Sequence, residues 1–126
     1  MLADSKAFSG FSVDDPAAAQ TFYANPLGLE AAWINEQYGM MELRLTGGKT
    51  VLVYASPNHA PASYTVLNFP VEDIESTVDG LVERGVEFIR YDGAGQDERG
   101  INRRGGPYIA WFADPAGNIL SVLQER

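Results

Sequence analysis

With 126 residues, 45% of them hydrophobic and 11% aromatic, the chain is long enough for one domain that buries roughly two-thirds of its unfolded surface. A formal charge of −8, from 17 acidic against 9 basic residues, repels phosphate backbones and anionic lipid, which argues against nucleic acid and membrane partners and favours a neutral or cationic small ligand. The absence of cysteine removes disulfides, thiolate nucleophiles and Cys-ligated zinc, and the opening MLADSKAF has no basic segment leading into an apolar core, so a soluble, cytoplasmic protein is expected.

Ala7 to Val13 alternates like a strand, with Ser9, Phe11 and Val13 on one side and Phe8, Gly10 and Ser12 on the other. Asp15 is a good N-cap and Pro16 suits the first helical position, so a helix is predicted from Pro16 to about Asn25, stopped by Pro26 and Gly28. Leu29–Ile34 reads as a strand, and Met40–Leu45 and Thr50–Ala55 as a hairpin across Thr46-Gly47-Gly48-Lys49. Together these make one βαβββ unit.

The segment 56–63 (SPNHAPAS) carries two prolines and no periodicity, and reads as a linker. The pattern then restarts. Tyr64–Val71 is a strand, Asp73 caps a helix over Ile74–Arg84 that presents Ile74, Val78, Leu81 and Val82 on one face, and Gly85 ends it. Val86–Arg90 is a further strand. Tyr108–Gln124 (YIAWFADPAGNILSVLQ) is a hairpin, because Pro115 presets one turn dihedral and Gly117 can take positive φ. Alternation sets Ile109, Trp111, Ala113, Ile119, Ser121 and Leu123 on one face and Ala110, Phe112, Leu120 and Val122 on the other.

The order of signals repeats: Val13-Asp14-Asp15 against Val71-Glu72-Asp73, Gly28-Leu29-Glu30 against Gly85-Val86-Glu87, and Gly48-Lys49-Thr50 against Gly117-Asn118-Ile119. This is an internal duplication within a single domain, 1–126, with units at 6–55 and 64–124. The expected fold is α+β: two tandem βαβββ units forming a curved eight-stranded mixed sheet, helices on the outer face and a trough on the inner.

The runs FSVDDPAAAQTFYANPLGLE, VLNFPVEDIESTVDGLVERGVEF and WFADPAGNILSVLQ resemble the vicinal oxygen chelate superfamily of glyoxalases, extradiol dioxygenases, fosfomycin-modifying transferases and bleomycin-resistance proteins. The resemblance covers nearly the whole chain and implies that fold. In this superfamily, metal-using members supply His or Glu from the starts or interiors of four strands. The matching positions here hold Phe8, Leu52, Val66 and Ser121, three of which have no lone pair to donate, so no metal and no other cofactor is expected. Short two-unit chains of this kind usually pair, so the resemblance also implies a homodimer.

Among other candidates, His59, the single histidine, sits in the proline-flanked linker, where a solvated side chain is a better account than a general base. Glu42, aligned by the repeat with Trp111, is the weak candidate for a catalytic base, set against an ordinary ion pair with Arg44 two residues along. Asp14, Asp15, Glu72 and Asp73 are explained by helix capping. The aromatic residues make the case for binding. Phe8, Trp33, Tyr54, Tyr64, Tyr91, Tyr108 and Trp111 lie on strands or their ends, with Asn68 and Ser121 as polar groups, and large rings with a few fixed hydrogen-bonding groups suit a small molecule. The loop 92–107 has five glycines and Arg99, Arg103 and Arg104; it reads either as a lid that aims a guanidinium, Arg103 among them, at the ligand or as a disordered surface loop or an arm that contacts a partner subunit. The expected function is metal-independent binding of an aromatic or cationic small molecule. The alternative is a glyoxalase-like lyase or isomerase acting on a small carbonyl compound, with an unforeseen metal site or a metal-free mechanism built on Glu42, Tyr64 or an arginine of the loop.

Overall fold

The structure, a computed structural model, describes residues 1–125. The chain divides into two compact units, Met1–Ala60 and a second from Pro61 onward, a division that falls inside the 56–63 segment.

In the first unit, a short 3-10 turn at Leu2–Asp4 precedes β1 (Ser9–Val13), α1 (Pro16–Ala24), β2 (Glu30–Asn35), β3 (Met40–Leu45) and β4 (Lys49–Ala55). The sheet order is β1-β4-β3-β2, with β1 parallel to β4 and the remaining pairs antiparallel. Helix α1 begins where the sequence requires it: Asp15 accepts from the Ala18 N–H at 3.1 Å and Pro16 occupies the first turn. The helix packs on the sheet face that buries Phe11, Val13, Met41, Leu43, Val51 and Val53, and the fully buried Tyr23 ring lies 6.0 Å from that of Phe11. Ahead of β3, Gly39 has φ of +66°, and a Cβ there would stand 2.7 Å from that of Ala55, so only glycine fits without displacement.

The second unit contains β5 (Thr65–Pro70), α2 (Ile74–Glu83), β6 (Tyr108–Ala113) and β7 (Ile119–Gln124), in sheet order β5-β7-β6, with β5 parallel to β7 and β6 antiparallel to it. Asp73 caps α2 by accepting from the Ser76 N–H at 3.2 Å, and the Gln124 side chain accepts from the Ile74 N–H at 2.9 Å, tying the helix start to the end of β7. Ile74 and Val78 of α2 are buried, as are Ala110, Phe112, Leu120 and Val122 on the strands it packs against. The duplication reaches the level of register. Gly10, Leu52 and Glu42 are mutual partners across β1, β4 and β3, as Asn68, Ser121 and Trp111 are across β5, β7 and β6.

The fold is the expected α+β arrangement, realised as hydrogen-bonded sheets of four and three strands. The segment predicted as an eighth strand, Val86–Arg90, is reduced to a single bridge between Phe88 and Phe112. The reason is local. Ile89 donates to the Trp111 carbonyl at 2.7 Å, but its own carbonyl is taken by the Gln96 side chain at 2.8 Å, and the Tyr91 N–H is taken by the same amide at 2.7 Å. A side-chain amide has replaced the ladder.

Candidate functional site

Each sheet has one face against its helix and one turned away from it. In the second unit the face turned away carries Ile109, Trp111 and Ala113 on β6 and Ile119, Ser121 and Leu123 on β7. The carbon-rich members are half-buried, whereas Ser121 is fully buried. Across the three strands, Asn68, Ser121 and Trp111 stand in one row, and the Ser121 hydroxyl donates to Asn68 Oδ1 at 2.6 Å. Asn68 itself is exposed. The Trp111 ring is braced edge-on by Tyr91, centroid to centroid 5.4 Å at 81°. Tyr91 reaches it because Val86–Arg90 runs beside β6.

Tyr108 and Arg103 belong elsewhere. Tyr108 is three residues from Trp111 on the same strand, so alternation turns it to the helix face. There the Arg103 guanidinium lies 5.0 Å from the Tyr108 ring centroid and pairs with Glu75 of α2 at 2.7 Å and Asp97 at 3.1 Å. Arg99 makes a two-pronged pair with Asp79 of α2, at 2.9 and 3.2 Å. Arg99 and Arg103 are therefore spent on α2 and on the loop itself. Asp97 is the hub: its carboxylate accepts from the N–H groups of Arg99 and Ile101, both at 2.9 Å, and from Arg103. Burial pushes the Asp97 carboxyl up, but the hydrogen bonds from Ile101, Arg103 and Arg99 outweigh it and hold the group below the usual carboxylate range. The Arg99 hydrogen bond holds Asp79 below that range as well. Ile101 plugs the loop with no exposed surface. Within the chain, these contacts make 92–107 an ordered strap on α2.

In the first unit, the face turned away from α1 carries Ser12, Leu52, Tyr54 and Glu42, and Tyr54 is the partner of Ser12 in the β1–β4 register. Phe8 precedes β1 and is 71% exposed. Trp33 is the partner of the buried Met41, which sets it on the α1 face, away from Tyr54. Glu42 accepts from Arg44 Nε at 3.0 Å, and Arg44 also pairs with Glu30 at 2.5 Å. These two glutamates, Glu42 first, raise the Arg44 pKa. The carboxylate considered as a base is thus one arm of an ion-pair cluster. His59 is held as well: its Nδ1 and the Ser12 hydroxyl are 2.7 Å apart, which latches the linker to β1. Tyr64, ahead of β5, is 70% exposed.

Two features escaped sequence reasoning. Tyr91 was one aromatic among many, and nothing local marks it as the brace of Trp111. The Asp114–Asn118 pair inside the DPAGN turn was legible as a turn only, although an Asp and an Asn four apart around Pro-Ala-Gly are a signal for reciprocal capping. Of the four positions matching metal ligands, only Ser121 carries a donor atom, and among the described residues no three His, Cys, Asp or Glu side chains are gathered to hold a metal ion.

The family model described as Glyoxalase/Bleomycin resistance protein/Dioxygenase superfamily matches residues 9–122. Among curated proteins, none matches the chain. Among solved structures, the chain is similar to a glyoxalase family protein from Bacillus anthracis, at 19% identity over 97% of each chain with a TM-score of 0.70. It is similar to an antibiotic binding protein from a Streptomyces strain, at 22% identity over 98% of each chain with a TM-score of 0.68. A superfamily member from Sphaerobacter thermophilus shares 23% identity over 96% of this chain and 98% of the other, with a TM-score of 0.68.

Proposed function

This chain belongs to the glyoxalase/bleomycin resistance protein/dioxygenase superfamily, and we propose that within it the chain is a metal-independent binding protein for a flat aromatic or cationic small molecule. The observation that carries the reading is the outward face of the β5-β7-β6 sheet. A braced tryptophan lies there among half-buried aliphatic groups, with one hydrogen-bonded Ser–Asn pair as its polar component. Such a face offers stacking area at low entropic cost and a few oriented polar atoms, which is what a small-molecule site needs. The net charge of −8 favours cations by long-range attraction. An antibiotic binding protein of the same fold is a precedent for a small-molecule ligand.

Metal-dependent chemistry is not supported by the donor set. Phe8, Leu52 and Val66 supply no lone pair, and a single neutral serine hydroxyl is a poor sole ligand for Mn, Fe, Ni or Zn. The lyase or isomerase alternative would rest on a metal site elsewhere or on a metal-free mechanism built on Glu42, Tyr64 or a loop arginine, and of these Glu42 is engaged by Arg44 and Arg103 by Glu75 and Asp97. The protein is further proposed to act in the cytoplasm as a homodimer. The test is a thermal-melt titration with Mn, Fe, Ni, Co and Zn beside a panel of flat aromatic neutral and cationic compounds. Stabilisation by the aromatics and none by the metals supports the reading; a melt raised by one specific metal and by no aromatic overturns it.

A further inference from the structure

Taking the Trp111 face as the binding face, we infer that it selects planar ligands carrying a hydrogen-bond acceptor, and that Asn68 is the residue that reads the acceptor. Ser121 sits between the apolar Leu120 and Val122 with no exposed surface. A hydroxyl in such a place costs stability unless it is bonded. It is bonded to one atom, Asn68 Oδ1, at 2.6 Å. That bond fixes the Asn68 amide about its last torsion, with the oxygen turned to Ser121 and the NH2 group turned away. Asn68 is exposed, so the ordered edge that the amide offers to an incoming molecule is a donor.

Trp111 completes the selection. It stands two strands away from Asn68 in the same row, roughly 10 Å between Cα atoms at the usual strand spacing, and the Tyr91 ring packs edge-on against it. A ligand stacked on Trp111 reaches the Asn68 amide if it has about two fused rings, with the acceptor on its far edge. A carbonyl or ring nitrogen there gains a hydrogen bond, whereas a bare hydrocarbon edge covers the N–H and leaves it unpaired.

Three two-ring probes separate the possibilities: coumarin, which has a carbonyl; naphthalene, which has no acceptor; and N-methylquinolinium, a permanent cation without one. Binding is followed by calorimetry and by the Asn68 side-chain amide signals in 15N NMR. Wild type is expected to bind coumarin about tenfold more tightly than naphthalene, with the amide signals moving for coumarin only. Asn68→Asp removes the donor and adds a negative charge at an exposed position, so the coumarin advantage is lost and N-methylquinolinium gains. Ser121→Ala frees the amide and narrows the coumarin advantage. Equal affinity for coumarin and naphthalene, both lost in Trp111→Ala, overturns the acceptor inference while leaving the binding face in place. An advantage that persists in Asn68→Asp overturns it too. No binding of any probe overturns the inference together with the reading of the face.

Discussion

Asp114 accepts three hydrogen bonds within the β6–β7 turn, from the N–H groups of Ala116 and Asn118 at 2.9 Å and from the Asn118 side chain at 3.0 Å. Both side chains are nearly fully buried. Replacing Asp114 with Ala leaves buried donors unpaired and is expected to cost about 2–4 kcal/mol, read from the urea midpoint; a loss under about 0.5 kcal/mol, the range of an ordinary surface substitution, contradicts this account of the turn. Gly39 is the other residue with no substitute. Gly39→Ala combines positive φ with a Cβ 2.7 Å from that of Ala55, and destabilisation by about 2 kcal/mol is expected. The Glu42–Arg44–Glu30 cluster is different in kind. Its groups lie on the open sheet face, Arg44 and Glu30 more than half exposed and Glu42 partly so, so Glu42→Gln is expected to shift stability by less than about 1 kcal/mol, and on this account it leaves ligand binding unchanged; loss of binding in that variant returns Glu42 to the site.

At the scale of elements, what was legible in the sequence was whatever is decided locally. Both helices start at the predicted Asp caps, and the hairpins close on the predicted glycine turns, because capping and turn geometry depend on residues within a few positions of one another. The 92–107 strap was illegible because its partners are distant. Arg99 finds Asp79 twenty positions away and Arg103 finds Glu75 twenty-eight away, and composition alone shows only glycines and unpaired charge. The same holds for the Ser12–His59 latch; the eighth strand is lost to a nearer competitor, the Gln96 side chain, which takes the Ile89 carbonyl and the Tyr91 N–H. The strap makes a pH prediction. Asp97 and Asp79 have folded-state pKa values below their unfolded values, so they stabilise the strap above the unfolded carboxylate value of about 4 and lose that contribution as pH falls through the folded value. Hydrogen exchange of the Arg99 and Ile101 amides, corrected for intrinsic rates, is expected to be flat from pH 7 to about pH 5 and to accelerate only below about pH 4. An onset near pH 6 contradicts the assignment. At neutral pH, Asp97→Asn is expected to open the strap to trypsin at Arg99, Arg103 and Arg104.

At the scale of the whole molecule, no helix among the described residues is long and apolar enough to cross a membrane. The proposed homodimer predicts a sedimenting species of twice the 13.7 kDa chain mass at micromolar concentration; a single species at the chain mass removes it. The site was half legible. Trp111, Ser121 and Asn68 fall in one row because strand alternation and the duplication are periodic and can be read, whereas Arg103 and Tyr108 join α2 through contacts that no period announces. The central claim is that the Trp111 face binds flat small molecules without a metal. The most direct measurement is a coumarin titration of metal-stripped protein carrying Trp33→Phe, so that Trp111 is the single tryptophan reporting by fluorescence. The account predicts saturable quenching that is unchanged when Mn, Fe, Ni, Co or Zn is restored. Quenching that requires a restored metal, or none at any coumarin concentration, contradicts it.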